Sequence, residues 1–447
     1  MLSDEVSPDP GALFSAFHLT GRNSVIAAVS GGGDSLALLF LLHDYLQRLP
    51  DAPSLIAVTI DHALRSESAA ESAAVGRMAA AAGIPHRVLR WEGPKPATGV
   101  PAAARQARLS LLARAAEGAG TDLVLTGHTA DDQAETLAMR LERGEGRGAA
   151  GMAPATLYDG RIWFARPLLE VRREALRVFL RARGISWMDD PTNRDTRFER
   201  ARKRQEIDEH SIARLLNKAR DAAQAREDAG RKAAALIGGA VFRPAPGLLR
   251  LRRAEFRGAE PEVAVYALRI LLAVAGGTPH LPDLARARGI LDQADGDGFR
   301  TSLSRAVIAT KSGYLFLHRE TRNLPEVPLT DAFVWDGRYR MNVHSQQEDL
   351  VVAAFGSENA REHEISDIDA PRGLVRSALA AEPAIWRDRH CVGLATECGL
   401  GEARPVAGLW AQLLPCFDLA AAHAIAQLLA GEPPPASPWR GHKGTVR

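Results

Sequence analysis

Four short strand-like runs begin at residues 24, 54, 86 and 122, spaced by 30, 32 and 36 residues, and a helical pattern follows each one. They are Ser24–Val29, Ser54–Ile60, His86–Trp91 and Asp122–Thr126. That spacing is the length of a βαβ unit. Parallel strands need helical crossovers that cover both sheet faces, so their strands read as near-unbroken apolar runs instead of alternating ones. The expected fold class is therefore α/β: a doubly wound parallel sheet, followed by smaller mixed α+β C-terminal domains. At 447 residues the chain has room for about three domains. With 46% hydrophobic and 25% charged residues it is ordinary for a globular protein, which excludes wholesale disorder.

Composition shifts after about Asp189. The run Arg194–Arg204 carries six cations against two anions and leads into a long polar helix pattern reaching about Leu236. A hairpin pattern over Val241–Arg253, helical patterns over Pro261–Ala275 and Leu281–Asp295, and paired strands over Thr301–Glu320 come next. Asn323–Thr330 reads as a linker. The expected domains are thus 1–205, 206–322 (mostly helical, substrate-binding) and 323–447. The three cysteines, Cys391, Cys398 and Cys416, lack zinc-site spacing and argue against a disulfide scaffold. No signal peptide or membrane-length apolar run is evident, so a cytoplasmic protein without a membrane partner is expected. Helical patterns such as Asp418–Ala430 offer a face for a homodimer.

Ser30-Gly31-Gly32-Gly33-Asp34-Ser35 lies between the first strand and the first long helix. Glycines let backbone N–H groups approach an anion closely, and the helix start adds the positive end of a dipole. Ser30 and Ser35 add hydroxyl donors. Asp34 would repel a phosphate unless a hard cation lies between, so the loop predicts phosphate together with Mg²⁺, with Asp34 as the metal-facing residue. Two other glycine motifs fail. The dinucleotide fingerprint would need Gly or Ala at Leu36, and the Walker sequence Gly-Lys-Ser/Thr is absent.

The S-G-G-x-D-S pattern resembles the PP-loop of ATP pyrophosphatases, which adenylate a substrate and release pyrophosphate. Further segments narrow the likeness: Asp61-His62-Ala63-Leu64-Arg65, Ala102–Leu109, Gly127–Thr136, Arg143–Gly148, and Asp190-Pro191-Thr192-Asn193 running into the basic stretch. Together they resemble the tRNA(Ile)-lysidine synthetases, strongly over residues 20–205, weakly over 206–320 and thinly beyond. Thr129 stands where that family usually has His, Leu109 where it has Tyr, Glu145 where it has Ser, and Ala201 where it has Asn.

The resemblance implies an ATP-dependent ligase that joins L-lysine to C2 of the wobble cytidine in the CAU anticodon of tRNA(Ile). AMP and pyrophosphate would leave, and codon reading would change from AUG to AUA. It implies ATP contacts at Ser30, Gly31, Gly32, Gly33, Asp34, Ser35, Asp61 and His62. Arg105, Arg108, Arg197, Arg200, Arg202 and Arg204 would hold tRNA or phosphate. The catalytic candidates are Asp34, Asp131, Asp132 and Glu135. Asp131 and Glu135 are four apart, and Asp132 and Glu135 three, so each pair shares a helix side. Acids in a first helical turn also favour the helix dipole without any ligand, and His62 and His128 can simply bond backbone groups at strand ends. Two other readings fit the loop. One is a different PP-loop enzyme adenylating a tRNA base or small molecule; the other is an RNA-binding protein with a relict nucleotide site.

Overall fold

The computed structural model describes residues 7–63, 68–144, 146–188, 197, 199–330, 332–343, 349–365 and 369–441. Leu64, Arg65, Glu145, Asp190–Asn193 and most of the 194–198 run, all singled out from sequence, lie outside the described residues. The chain divides into two compact units, 1–226 with 415–417 and 435–447, and 227–414 with 418–434.

The first unit opens with a short helix, α1 (Pro10–Phe14), and then alternates strands and helices. Its order is β1 (Ser24–Ala28), α2 (Gly33–Leu46), β2 (Ser54–Asp61), α3 (Ser68–Ala81), β3 (His86–Arg90), α4 (Val100–Gly118), β4 (Leu123–Thr126) and α5 (Ala130–Glu142). There follow β5 (Ala155–Tyr158), β6 (Ile162–Ala165), α6 (Arg173–Ala182), α7 (Glu199–Glu206) and the start of α8 (Glu209–Ala240). Six strands lie in the order β5-β6-β4-β1-β2-β3. All pairs are parallel except β5 with β6. β1, β4 and β6 are buried along their whole length, as expected of strands covered on both faces. Leu112, Ala113 and Ala116 of α4 pack on one face against Ile26, Val58, Val124 and Phe164. α2 is buried from Ser35 to Leu42.

β1 has β2 on one side and β4 on the other, so the chain reverses direction across the sheet there. Open α/β sheets bind ligands at the carboxyl ends of the strands beside such a switch point. Both chemically suggestive segments, the glycine loop after β1 and the acidic helix start after β4, fall at this place.

The second unit contains the remainder of α8, β7 (Val241–Ala245), β8 (Leu248–Arg252), α9 (Arg253–Gly258), α10 (Pro261–Gly276), α11 (Leu284–Gln293), β9 (Arg300–Leu303), β10 (Ala306–Lys311) and β11 (Tyr314–Arg319). Its five-stranded antiparallel sheet, β7-β8-β11-β10-β9, carries α10 on one face. A second sheet of β12 (Val327–Pro328), β15 (Leu350–Ala354), β16 (Pro383–Arg387) and β17 (His390–Leu394) follows. A third combines β13 (Phe333–Trp335), β14 (Tyr339–Val343) and β18 (Gly401–Pro405). The stretch expected to be a linker therefore supplies a short strand: Val327 and Pro328 pair with Val352 and Val351. Among the described residues no helix is long and apolar enough to cross a membrane.

Candidate active site

The loop after β1 is shaped by its glycines. Gly31 has φ +85°, and a Cβ there would sit 2.0 Å from Met188 Cε. The Met188 N–H donates to Gly31 O at 3.0 Å, and Trp187 lies 3.3 Å from where a Gly33 Cβ would be. Ser35 Oγ accepts from the Ser30 N–H at 3.0 Å and donates to Gly32 O at 2.9 Å, closing the loop on itself. The N-cap of α2 is Gly32, with no side-chain cap bond, so the helix start is left to an anion. Gly127 closes the other side. A Cβ there would meet Asp34 O at 2.8 Å, so the backbones at the ends of β4 and α2 touch.

Asp34, Asp131, Asp132 and Glu135 converge on one arginine that no sequence motif singled out. Arg173, first residue of α6, donates from Nε to Asp34 Oδ2 at 3.0 Å and from Nη2 to Asp132 Oδ1 at 2.9 Å. Its Nη1 lies 3.6 Å from Glu135 Oε1, and its backbone N–H donates to Asp131 Oδ2 at 2.7 Å. Burial alone would lower its basicity, but Asp132, Asp34 and Glu135 outweigh that and raise it above an ordinary guanidinium. Arg172 adds a contact to Asp131 at 3.5 Å.

Each acid then has its own environment. Thr129, fully buried, N-caps α5, and its N–H and hydroxyl both donate to Asp132 Oδ2, at 2.9 and 3.0 Å. Burial pushes the Asp132 carboxyl up, yet Arg173, Arg200 and the Thr129 N–H hold it below its usual range. Asp34 goes the other way: burial raises it, and Arg173 only partly offsets this while Asp132 and Asp131 add to it. The Glu135 side chain is 3% exposed and takes Arg200 Nε at 2.8 Å and Arg204 Nε at 2.7 Å. Arg200 and Arg204 sit one turn apart on α7 and dock that helix on α5. Four carboxylates thus face four guanidiniums, Arg172, Arg173, Arg200 and Arg204. Around them Lys203 pairs with Glu142, and Arg143 with Glu199 at 2.5 Å.

Other expected residues lie further out. Asp61 ends β2; its Oδ1 accepts from Ser68 Oγ at 2.6 Å and from the Ala63 N–H at 2.8 Å, and the Ser68 bond leads in holding its carboxyl low. His62 meets Trp91 edge-on with ring centroids 6.2 Å apart, and its Nδ1 is buried without a partner among the described residues. Burial, then Arg108, keeps it neutral. Arg105 and Arg108 lie in the first turns of α4, at the carboxyl edge of the sheet. Arg202 donates to Arg197 O at 3.1 Å, on the exposed side of α7. Of the departures from the family pattern, Thr129 acts as a cap, Leu109 packs against the α4 core and Ala201 is buried in α7. Trp187 and Met188, beside the loop, carried no sequence signal beyond being apolar.

A PP-loop domain model matches residues 11–211. A tRNA(Ile)-lysidine synthase of Mesorhizobium japonicum is 46% identical over 438 residues, covering 95% of this chain and 96% of that one. The chain belongs to the tRNA(Ile)-lysidine synthase family. Members from Brucella anthropi and Rhizobium meliloti are 40% and 37% identical over 86% and 93% of this chain. A solved U34-tRNA thiolase from Methanococcus maripaludis with a [4Fe-4S] cluster aligns over 48% of this chain and 78% of its own, at 15% identity and a TM-score of 0.42. A PP-loop family uses ATP.

Proposed function

We propose that this protein joins L-lysine to C2 of the wobble cytidine in the CAU anticodon of tRNA(Ile), consuming ATP and releasing AMP and pyrophosphate. The observation that carries this reading is the set of four carboxylates gathered on Arg173 beside an uncapped helix start, at the switch point of the sheet.

The C2 carbonyl of cytosine is urea-like and a poor electrophile, so its oxygen must first become a leaving group. That oxygen attacks the α-phosphorus of ATP, and the bond to pyrophosphate breaks. The Ser30–Ser35 loop and the start of α2 receive the departing phosphates, as backbone donors at a helix start do. Mg²⁺ fits here in the mode where one carboxylate and the substrate phosphates share it. Among the described residues no three acidic, His or Cys side chains form a metal cage. Asp34, which Arg173 meets through Oδ2, is the residue that would hold the ion. When bound, the ion would supply neutralisation of phosphate charge next to Asp34.

Lysine then attacks C2, the C–O bond to AMP breaks, and the amine loses a proton. With an ordinary pKa near 10.4, roughly 0.1% of that amine is neutral near pH 7.4, a cost of about 4 kcal/mol. Asp132, held below the ordinary carboxylate value, is a standing anion suited to bind the ammonium. Asp131 and Glu135 complete the acidic wall, and a carboxylate of this set takes the proton. Arg173 keeps the wall together until the cationic substrate arrives.

The test is mass analysis of nucleosides from tRNA(Ile) and from tRNA(Met), both with CAU anticodons, after incubation with ATP, Mg²⁺ and lysine. A cytidine-plus-lysine nucleoside is expected from the isoleucine tRNA alone. A different adduct, or none, would contradict the reading.

A further inference from the structure

The segment that follows α6 returns to the start of α2. Gly184, at φ +66°, closes α6: the Ile185 N–H donates to Leu180 O at 3.0 Å and the Gly184 N–H to Arg181 O at 3.0 Å. This paired closure around a left-handed residue turns the chain off the helix end. Just before it, Arg183 Nη1 donates to Asp44 Oδ1 of α2 at 3.2 Å, so the turn is tied to α2. Shortly after it, Trp187 and Met188 lie along the glycine loop. The Met188 N–H donates to Gly31 O at 3.0 Å. Trp187 Cγ, Cδ1 and Cδ2 lie 3.3, 3.4 and 3.6 Å from where a Gly33 Cβ would be, so the indole takes the side of Gly33 that a side chain would fill. Arg181 stands over the same ring, 5.8 Å from its centroid.

A peptide unit is planar and trans, so its C=O and the N–H that follows point in opposite directions. Met188 holds Gly31 O, and the Gly32 N–H is therefore turned away from Met188. The next unit is fixed in the same way. Gly32 O accepts from Ser35 Oγ at 2.9 Å and from the Ser35 and Leu36 N–H groups at 3.1 Å, which turns the Gly33 N–H outward from the helix start. Among the described residues, neither the Gly32 nor the Gly33 N–H donates to a protein group. Both donors are left for an anion at the start of α2. We propose that Trp187 and Met188 are positioning residues for the triphosphate: the Met188 N–H aims the Gly32 N–H at it, and the Trp187 indole holds Gly33 in place. Donors fixed before the anion arrives spare the loop a reorganisation when phosphate binds. The effect falls on the phosphates and not on the nucleoside, and it rests on the reading above that the Ser30–Ser35 loop receives phosphate.

The test is calorimetric binding of pyrophosphate and, separately, of adenosine, each with Mg²⁺ and without tRNA or lysine. Met188→Pro, which lacks the N–H, is expected to weaken pyrophosphate binding at least tenfold while adenosine binding stays within twofold. Met188→Leu keeps the N–H and should hold pyrophosphate within twofold of wild type. Trp187→Ala should weaken pyrophosphate at least threefold, with Trp187→Phe recovering most of the loss. Should Met188→Pro fail to fold, the two Trp187 variants give the same comparison. In turnover, the KM for ATP should rise in Met188→Pro and Trp187→Ala, with the KM for lysine within twofold. Equal weakening of pyrophosphate and adenosine would overturn the proposal, because the whole site would then have been lost. Unchanged pyrophosphate binding would overturn it as well. Wild-type protein that binds pyrophosphate but forms no lysidine would sink the lysidine reading and leave this one standing, so the two failures are distinct.

Discussion

Asp34 and Asp132 lie in one cluster yet are tuned in opposite directions, and the difference is testable. A raised carboxyl opposes folding once ionised, so the cost of Asp34 is present at neutral pH and fades as pH falls through its raised value. Arg173 keeps Asp132 and Glu135 when Asp34 is neutralised. Asp34→Asn should therefore melt no lower than wild type at neutral pH, with the gap closing as pH falls through the raised Asp34 value, while product formation is lost. A clear fall in Tm at neutral pH would contradict the assignment. Asp132 is the opposite case: its lowered value contributes stability above the unfolded carboxylate range, lost as pH falls through the folded value. Thr129 holds that carboxylate. Thr129→Val should cost about 1 kcal/mol in urea unfolding and lower kcat, with Thr129→Ser restoring both. The acids were legible in the sequence because four-residue spacing on a helix is a local signal. Arg173 was not, because nothing local distinguishes it from six other arginines between 161 and 183. Its partners are 38 or more positions away, and only the fold brings them together.

At the scale of elements, the site is a meeting of strand ends. The first four strands start within about one residue of the sequence reading, because β1, β2 and β4 are largely buried and leave an apolar trace, whereas β5, β6 and α6 were not read from the sequence. What that trace lacks is close approach between backbones. Gly127 reads as any loop glycine, but it lets the end of β4 touch the first turn of α2. Gly127→Ala should push these apart and raise the ATP KM more than tenfold with the fold retained, as checked by steady-state kinetics and circular dichroism. α7 is the second such element. Its arginines are expected from the resemblance to hold tRNA or phosphate, and Arg200 and Arg204 turn inward to a nearly buried Glu135. Replacing both with Ala leaves that charge without them, so trypsin should cut within 199–206 several-fold faster than in wild type.

The whole molecule separates its chemistry from another buried charge network. In the second unit Asp336, 1% exposed as a side chain, meets Arg319 and Arg338 at 2.9 Å and Arg305 at 2.6 Å, while Arg338 also meets Glu382 at 2.7 Å. Removing one partner from such a network costs about 3–5 kcal/mol. Asp336→Ala should lower a thermal transition of the second unit while nucleotide binding in the first is kept. The network was invisible in the sequence because its members come from four separated segments with no common spacing. The central claim, however, belongs to the first unit: the turn after β1 holds the triphosphate so that adenylate passes to an RNA base. The most direct measurement is the nucleotide product stoichiometry with ATP, Mg²⁺, lysine and tRNA(Ile). One AMP and one pyrophosphate for each lysidine, with neither formed when tRNA is omitted, is the predicted result. Release of ADP and inorganic phosphate, or AMP formed equally well without tRNA, would contradict it.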